Sequence, residues 1–174
     1  AVFFPADRAT ADAHAVLETG IGEERSVVLS DGSRVDLGGD TRIETRFDRH
    51  YRLLVLVRGE AYFTAARDAR RPFTVAQGAA RVTAIGTEFN MRCHSDHLLV
   101  TVLDGRVVVG VHAANVESAP GAAAATRQIE AGQRVSVQGG AISEPVASGL
   151  GGEWRYGRLA FEDEPLRDAL EDVN

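Results

Sequence analysis

Arg52-Leu53-Leu54-Val55-Leu56-Val57-Arg58-Gly59-Glu60-Ala61-Tyr62-Phe63 is the stretch on which the fold turns. A run of Leu and Val of strand length is broken by a glycine between two charges and then resumes with two aromatics, the pattern of β-structure punctuated by a corner. The same unit returns as Leu99 to Leu103, Asp104-Gly105-Arg106 and Val107-Val108-Val109. A third version runs from Arg127 to Val137, with Ala131-Gly132-Gln133 at its turn and Gly139-Gly140 beyond. Upstream, Val27-Val28-Leu29 and Val35-Asp36-Leu37 flank Ser30-Asp31-Gly32-Ser33, where Asp-Gly supplies the positive φ angles of a hairpin turn.

Gly32, Gly59, Gly86, Gly105 and Gly132 thus mark successive corners, at intervals of 27, 27, 19 and 27 residues. The units differ too much for a strict repeat, so the expectation is an all-β body of wrapped antiparallel sheets, solenoid-like or sandwich-like. A barrel would use the same corners. Ala13, Val16 and Leu17 fit a helix while His14 to Thr19 before Gly20 fit a strand, and the strand is favoured. Ala113 to Thr126, rich in Ala, Ser, Gly and Pro, reads as a mobile surface loop.

At 174 residues with 44% hydrophobic content, the chain can bury one core. Nineteen basic residues, all Arg, against 25 acidic ones give a net charge of -6 and no basic patch, which argues against a protein that grips nucleic acid through its phosphates. One cysteine, Cys93, permits no internal disulfide. Charged residues interrupt every apolar stretch short of the roughly 18 residues a membrane helix requires. The first six residues are too short for a signal peptide but fit the trailing edge of a removed membrane segment.

Gly20-Ile21-Gly22 lacks the third glycine of a dinucleotide fingerprint, and no nucleophile elbow or phosphate loop is present. Cys93-His94-Ser95-Asp96-His97 carries metal-ligand chemistry, yet strand alternation sends His94 and Asp96 to one face and Cys93 and Ser95 to the other, so a polar hairpin turn is the simpler reading. Glu60, Glu88 and Asp104 would do acid/base work only if they converged on one cleft; Glu60 and Asp104 lie beside turn glycines, where carboxylates commonly satisfy backbone donors. Tyr62, Phe89 and Trp154 fit a sugar groove, though strand aromatics more often sit in a core. The alternative function this leaves is a cupin-like or carbohydrate-binding all-β enzyme or binding module.

Ser148-Gly149-Leu150-Gly151-Gly152 has linker composition, and the period changes after it. Leu159 and Phe161 alternate as in a strand, then Leu166, Ala169, Leu170 and Val173 fall on one helical face with Pro165 at the helix start. The division expected is an all-β domain over 1–148, a linker over 149–153, and a short strand-helix fragment of a second domain over 154–174.

Taken together, these segments resemble the FecR family of sigma-regulator proteins. The resemblance is carried in order by Val28 to Leu37, Arg52 to Phe63, Arg71-Pro72-Phe73-Thr74-Val75, Val82-Thr83-Ala84-Ile85-Gly86-Thr87-Glu88-Phe89-Asn90, Val100 to Val109 and Glu130-Ala131-Gly132-Gln133. It covers roughly residues 14 to 140. Each motif alone is weak, but six in sequence are specific. Trp154 to Phe161, followed by Glu164-Pro165-Leu166, is similar to the entry of the secretin/TonB short N-terminal module that often follows.

The resemblance implies a periplasmic signalling module rather than an enzyme, with no cofactor and no metal. Family members join a cytoplasmic sigma-binding domain and one membrane helix to a periplasmic part that reads the signalling domain of a TonB-dependent outer-membrane transporter, most often in iron uptake. The expectation is that sigma-factor binding belongs to the cytoplasmic part and lies outside these residues. The resemblance makes Trp154, Leu159, Phe161 and Leu166 the partner-binding residues, and Asp31, Gly32, Gly59, Glu60, Gly86, Thr87, Asp104, Gly105 and Gly132 structural turn motifs.

Overall fold

In a computed structural model, the described residues are 9–11, 14–112 and 125–148. They form fifteen strands and no helix: β1 (Ala9–Ala11), β2 (His14–Glu18), β3 (Arg25–Leu29), β4 (Arg34–Leu37), β5 (Arg42–Phe47), β6 (Arg52–Thr64), β7 (Phe73–Gln77), β8 (Ala80–Ala84), β9 (Glu88–His94), β10 (His97–Asp104), β11 (Arg106–Val111), β12 (Ala125–Glu130), β13 (Gln133–Gln138), β14 (Ala141–Ile142) and β15 (Val146–Ala147). The all-β expectation holds, including a strand at His14. The strand-helix fragment expected over 154–174 and the linker over 149–153 lie outside the described residues. So does most of the expected loop, although Ala125 and Thr126 already belong to β12.

Two layers are built from one strand. The first half of β6 pairs with β5 and β7, and its second half pairs with β4 and β9. The first sheet therefore runs β1-β3-β4-β6-β9-β10-β13, with β14 and β15 on the far side of β13. The second runs β2-β5-β6-β7-β8-β11-β12. All pairings are antiparallel except β1 with β3 and β6 with β7. On one side of the sandwich, β12 comes against β13 and β14 and nearly closes it into a barrel.

The chain weaves between layers, and this assigns the glycines their work. Gly32 turns the β3–β4 hairpin, where Gly32 N donates to Leu29 O (3.0 Å) and Leu29 N to Ser33 O (2.8 Å). Gly86, Gly105 and Gly132 stand where the chain passes from one sheet to the other, and Gly59 is a kink within β6 itself. Its φ of 86° is a left-handed conformation that side chains disfavour. A Cβ there would come within 2.3 Å of Thr41 Oγ1 and 2.6 Å of Thr41 Cα.

Between the layers, alternate residues of both sheets form one core, with Val27, Leu37, Ile43, Leu54, Phe63, Val75, Val82, Met91, Val100 and Val135 all fully buried. Phe63 stacks on Phe89 at 5.1 Å between ring centroids, and Phe73 of the opposite layer meets Phe63 at 6.0 Å and Phe89 at 6.4 Å. Such contacts add to the hydrophobic gain, roughly 1.5–3 kcal/mol for each large side chain buried.

Candidate functional site

Strand periodicity places Arg52 in the inward phase of β6 with Leu54 and Leu56, and its side chain has no exposure. A charge there requires partners, and it has them. Arg52 Nη1 donates to Asp31 Oδ2 at 2.6 Å and to Ala66 O at 2.9 Å, and Nε donates to Arg71 O at 2.7 Å. The guanidinium also lies 5.5 Å from the centroid of the Phe73 ring. Asp31, its side chain 4% exposed, accepts from Ser33 N (3.0 Å) and Ser33 Oγ (2.6 Å), and Ser33 Oγ accepts from Ala66 N (2.9 Å). One carboxylate thus ties the β3–β4 turn of the first sheet to the start of β6 in the second and to the loop after β6.

Asp31 and Gly32 were expected only to shape a turn, and the buried ion pair was not foreseen. Its signal was the arginine standing in phase with two core leucines.

A second constellation crosses the outer face of the first sheet. Ser26, Asp36, Tyr62, Asn90, Thr101 and Arg134 are register partners in turn across six strands, and the row ends beside Val146 of β15. Their neighbours along each strand belong to the core, so these side chains point away from it. Ser26 Oγ donates to Asp36 Oδ1 (2.7 Å), and Arg34 grips both Asp36 oxygens (2.9 and 2.7 Å). That hydrogen bond pushes the Arg34 pKa up, against partial burial, which lowers it. Tyr62 Oη donates to Glu88 Oε2 (2.5 Å), and Asn90 Nδ2 donates to Glu60 Oε1 (2.6 Å).

Glu60 and Glu88 therefore flank this row, on opposite sides of it, each held by its own neighbour. Asp104 is exposed beside the β10–β11 crossing, as the register partner of Glu88. The three do not converge on one cleft. Phe89 lies in the core, whereas Tyr62 belongs to the outward row, and Trp154 lies outside the described residues.

The remaining turn residues hold corners. Thr87 O accepts from Ala65 N (3.0 Å). Gly105 approaches Thr87 so closely that a Cβ would meet its Cγ2 at 2.7 Å. Glu60 N donates to Thr41 Oγ1 (3.0 Å), and Thr41 Oγ1 donates to Glu60 O, which fixes the backbone on one side of the Gly59 kink. Gly132 O accepts from Ser148 N (2.8 Å).

Cys93 to His97 form the β9–β10 hairpin, with Ser95 at a φ of 51°. His94 and His97 face one another across it. Cys93 turns inward, where Gln77 Nε2 donates to its sulfur (3.0 Å), and burial pushes the thiol pKa up despite that hydrogen bond. Among the described residues, no three His, Cys, Asp or Glu side chains come together as metal ligands. Trp154, Leu159, Phe161 and Leu166, the expected partner-binding residues, lie outside the described residues.

Comparison with known proteins agrees with this architecture. A family model described as FecR protein matches residues 15–108. Two crystal structures of candidate anti-sigma factors from Parabacteroides distasonis superpose with TM-scores of 0.78 and 0.77 at 25% identity. These cover 92% and 91% of this chain and 73% of each of the other chains. A search of curated proteins gives no match.

Proposed function

Because this chain belongs to the FecR family, we propose that it is the signal-receiving module of an anti-sigma regulator and acts by contact with another polypeptide. It stands in the periplasm as part of a regulator anchored in the inner membrane, and its partner is the signalling domain of a TonB-dependent outer-membrane transporter. Transporter occupancy changes that contact, and the contact decides whether an extracytoplasmic-function sigma factor is held or released. The sigma factor itself is engaged by a cytoplasmic domain of the same regulator.

The observation that carries this reading is the family match over residues 15–108, on a fold shared with two candidate anti-sigma factors. The domain's own build supports it. Asp31 and Arg52 are spent on one another, and Glu60 and Glu88 on Asn90 and Tyr62, so the polar residues that stand out serve a framework. Contact with the partner is assigned to the segment from Trp154 through Leu159 and Phe161 to Leu166, by addition of a strand to an open sheet edge.

The test is co-purification of the complete periplasmic region with the signalling domain of the transporter encoded beside it, with and without the transported ligand, alongside a sigma-dependent reporter in cells. Ligand-dependent binding that Leu159→Asp and Phe161→Asp abolish, with loss of reporter response, is the expected result. Absence of binding in every ligand state would overturn the transporter assignment.

A further inference from the structure

β2 ends the second sheet, and among the described residues it pairs with β5 alone. Ala15 N donates to Thr45 Oγ1 (2.9 Å) and Thr19 N donates to Thr41 O (3.0 Å), so the odd-numbered residues of this segment turn their backbone toward β5. By the alternation of an antiparallel ladder, His14, Val16 and Glu18 turn theirs to the open side. The same three side chains are exposed on the outer face, Val16 by 53%. An exposed valine alone calls for no partner, but an open row of N–H and C=O groups is a template for another strand.

The other described edges are short or covered. β1 has three residues, β14 and β15 have two each, and β12 lies against β13 and β14. β2 has five, His14-Ala15-Val16-Leu17-Glu18, with no proline, glycine or bulge and no charge in its inward phase. None of the usual devices that keep an edge from pairing is present in it.

The order of these residues says which strand fits. Laid antiparallel on a second copy of itself about Val16, the segment sets each His14 opposite the other copy's Glu18, with Val16 on Val16 between them. An imidazole N–H donates to a carboxylate whether the ring is charged or neutral. Arg42 (2.6 Å) and Arg58 (3.8 Å) both approach Glu18 at Oε1, and neither engages Oε2. These pairs join residues whose backbone already faces the open side, so each pair exchanges both ladder hydrogen bonds. In the inward phase Ala15, half-buried against the core, meets Leu17, a small side chain beside a large one. A register moved by two residues sets Val16 against His14 or Glu18 and forfeits the charge pairs.

We propose that β2 is a self-association edge: two copies of this chain join β2 to β2 about a two-fold axis normal to the second sheet, so that outer face continues into outer face and core into core. The proposal does not depend on the transporter reading, and its test uses this chain alone. A seam of one short strand lies at the small end of specific interfaces, below about 1,200 Å² in total, so the dimer should dissociate on dilution.

Sedimentation velocity of the full chain from micromolar to millimolar concentration should show reversible dimerisation, and amide exchange at Val16 and Glu18 should slow several-fold over the same range. Val16→Cys fixes the register, because paired Cα atoms about 5.5 Å apart permit a disulfide. Mild oxidation should link that variant several-fold faster than Val108→Cys, placed on β11 of the same sheet, and the unaltered chain, which keeps Cys93, should not link. Val16→Pro removes the central donor at an edge, where proline is tolerated, and should abolish association. Should circular dichroism show that Val16→Pro does not fold, His14→Glu serves instead, since it sets carboxylates opposite one another and should weaken association several-fold.

A monomer at every concentration overturns the proposal, as do equal linking rates for the two cysteine variants. Association that these substitutions at Val16 and His14 leave intact would place the contact on another surface. Protection of the Val16 amide that arises only with added transporter domain would give the edge to that partner, and either result sinks the proposal.

Discussion

The two outer faces of the sandwich invert the usual relation between polarity and exposure. On the first sheet, Asp36, Tyr62, Asn90 and Thr101 are polar and nearly inaccessible. On the second, Val16, Val57 and Val108 are apolar and 53%, 45% and 43% exposed. Scattered exposed valines are ordinary on a protein surface and need no partner. A buried polar row is not ordinary, since each of its groups has lost water and must be satisfied by protein. The difference teaches that on this fold the outward phase of a strand does not by itself decide exposure, and that the polar face is the more constrained of the two.

The severest challenge to this comparison falls on the link between the layers. Asp31→Ala leaves Arg52 charged and buried without its counterion, and should cost about 3–5 kcal/mol of stability in urea unfolding. If the faces belong to one body, strands of both sheets lose hydrogen-exchange protection together in that variant. Loss confined to β3 and β4 would show the layers to be separable.

Next in size, Tyr62→Ala should cost about 3 kcal/mol, in the range of a buried aromatic despite its outward phase. Val108→Ala should stay within about 0.5 kcal/mol, as exposed positions do. Similar values for the two, measured by the same urea melts, would erase the contrast between the faces. Gly59→Ala tests the kink that divides them: a side chain at positive φ pressed on buried Thr41 should cost about 2 kcal/mol, visible as a lowered Tm.

The smallest effect concerns an exposed control. The Asp68 carboxyl accepts from Arg71 Nε (2.9 Å) and from backbone N–H groups of Arg70 and Arg71, which hold its pKa below the ordinary 3.8 against the opposing effect of desolvation. A lowered pKa in the folded state means stability that is present above pH 3.8 and lost as pH falls through the lower value. The stability difference between the unaltered chain and Asp68→Asn should therefore be steady at neutral pH and shrink in acid. A difference that instead grows in acid would contradict the assignment.

Much of this was legible in the residues, and the reason is local. Runs of Leu, Val and Phe with glycine at fixed offsets encode strands and corners within a few residues of one another, so the all-β body and the positions of Gly32, Gly59, Gly86, Gly105 and Gly132 could be read directly. Which strands pair could not. Gly59 and Gly105 each stand between two opposite charges after an apolar run, yet one bends a single strand and the other separates two, a distinction set by partners as distant as β4 and β9. The buried row was illegible for the same reason. Asp36, Tyr62 and Asn90 stand far apart along the chain and meet only through register.

Because β6, among the described strands, is the one that belongs to both layers, each layer holds an interior strand in common with the other. Neither can melt without stripping partners from the sheet that remains. Unfolding should therefore be a single cooperative transition in calorimetry, and a force applied at one layer is borne by covalent backbone into the next.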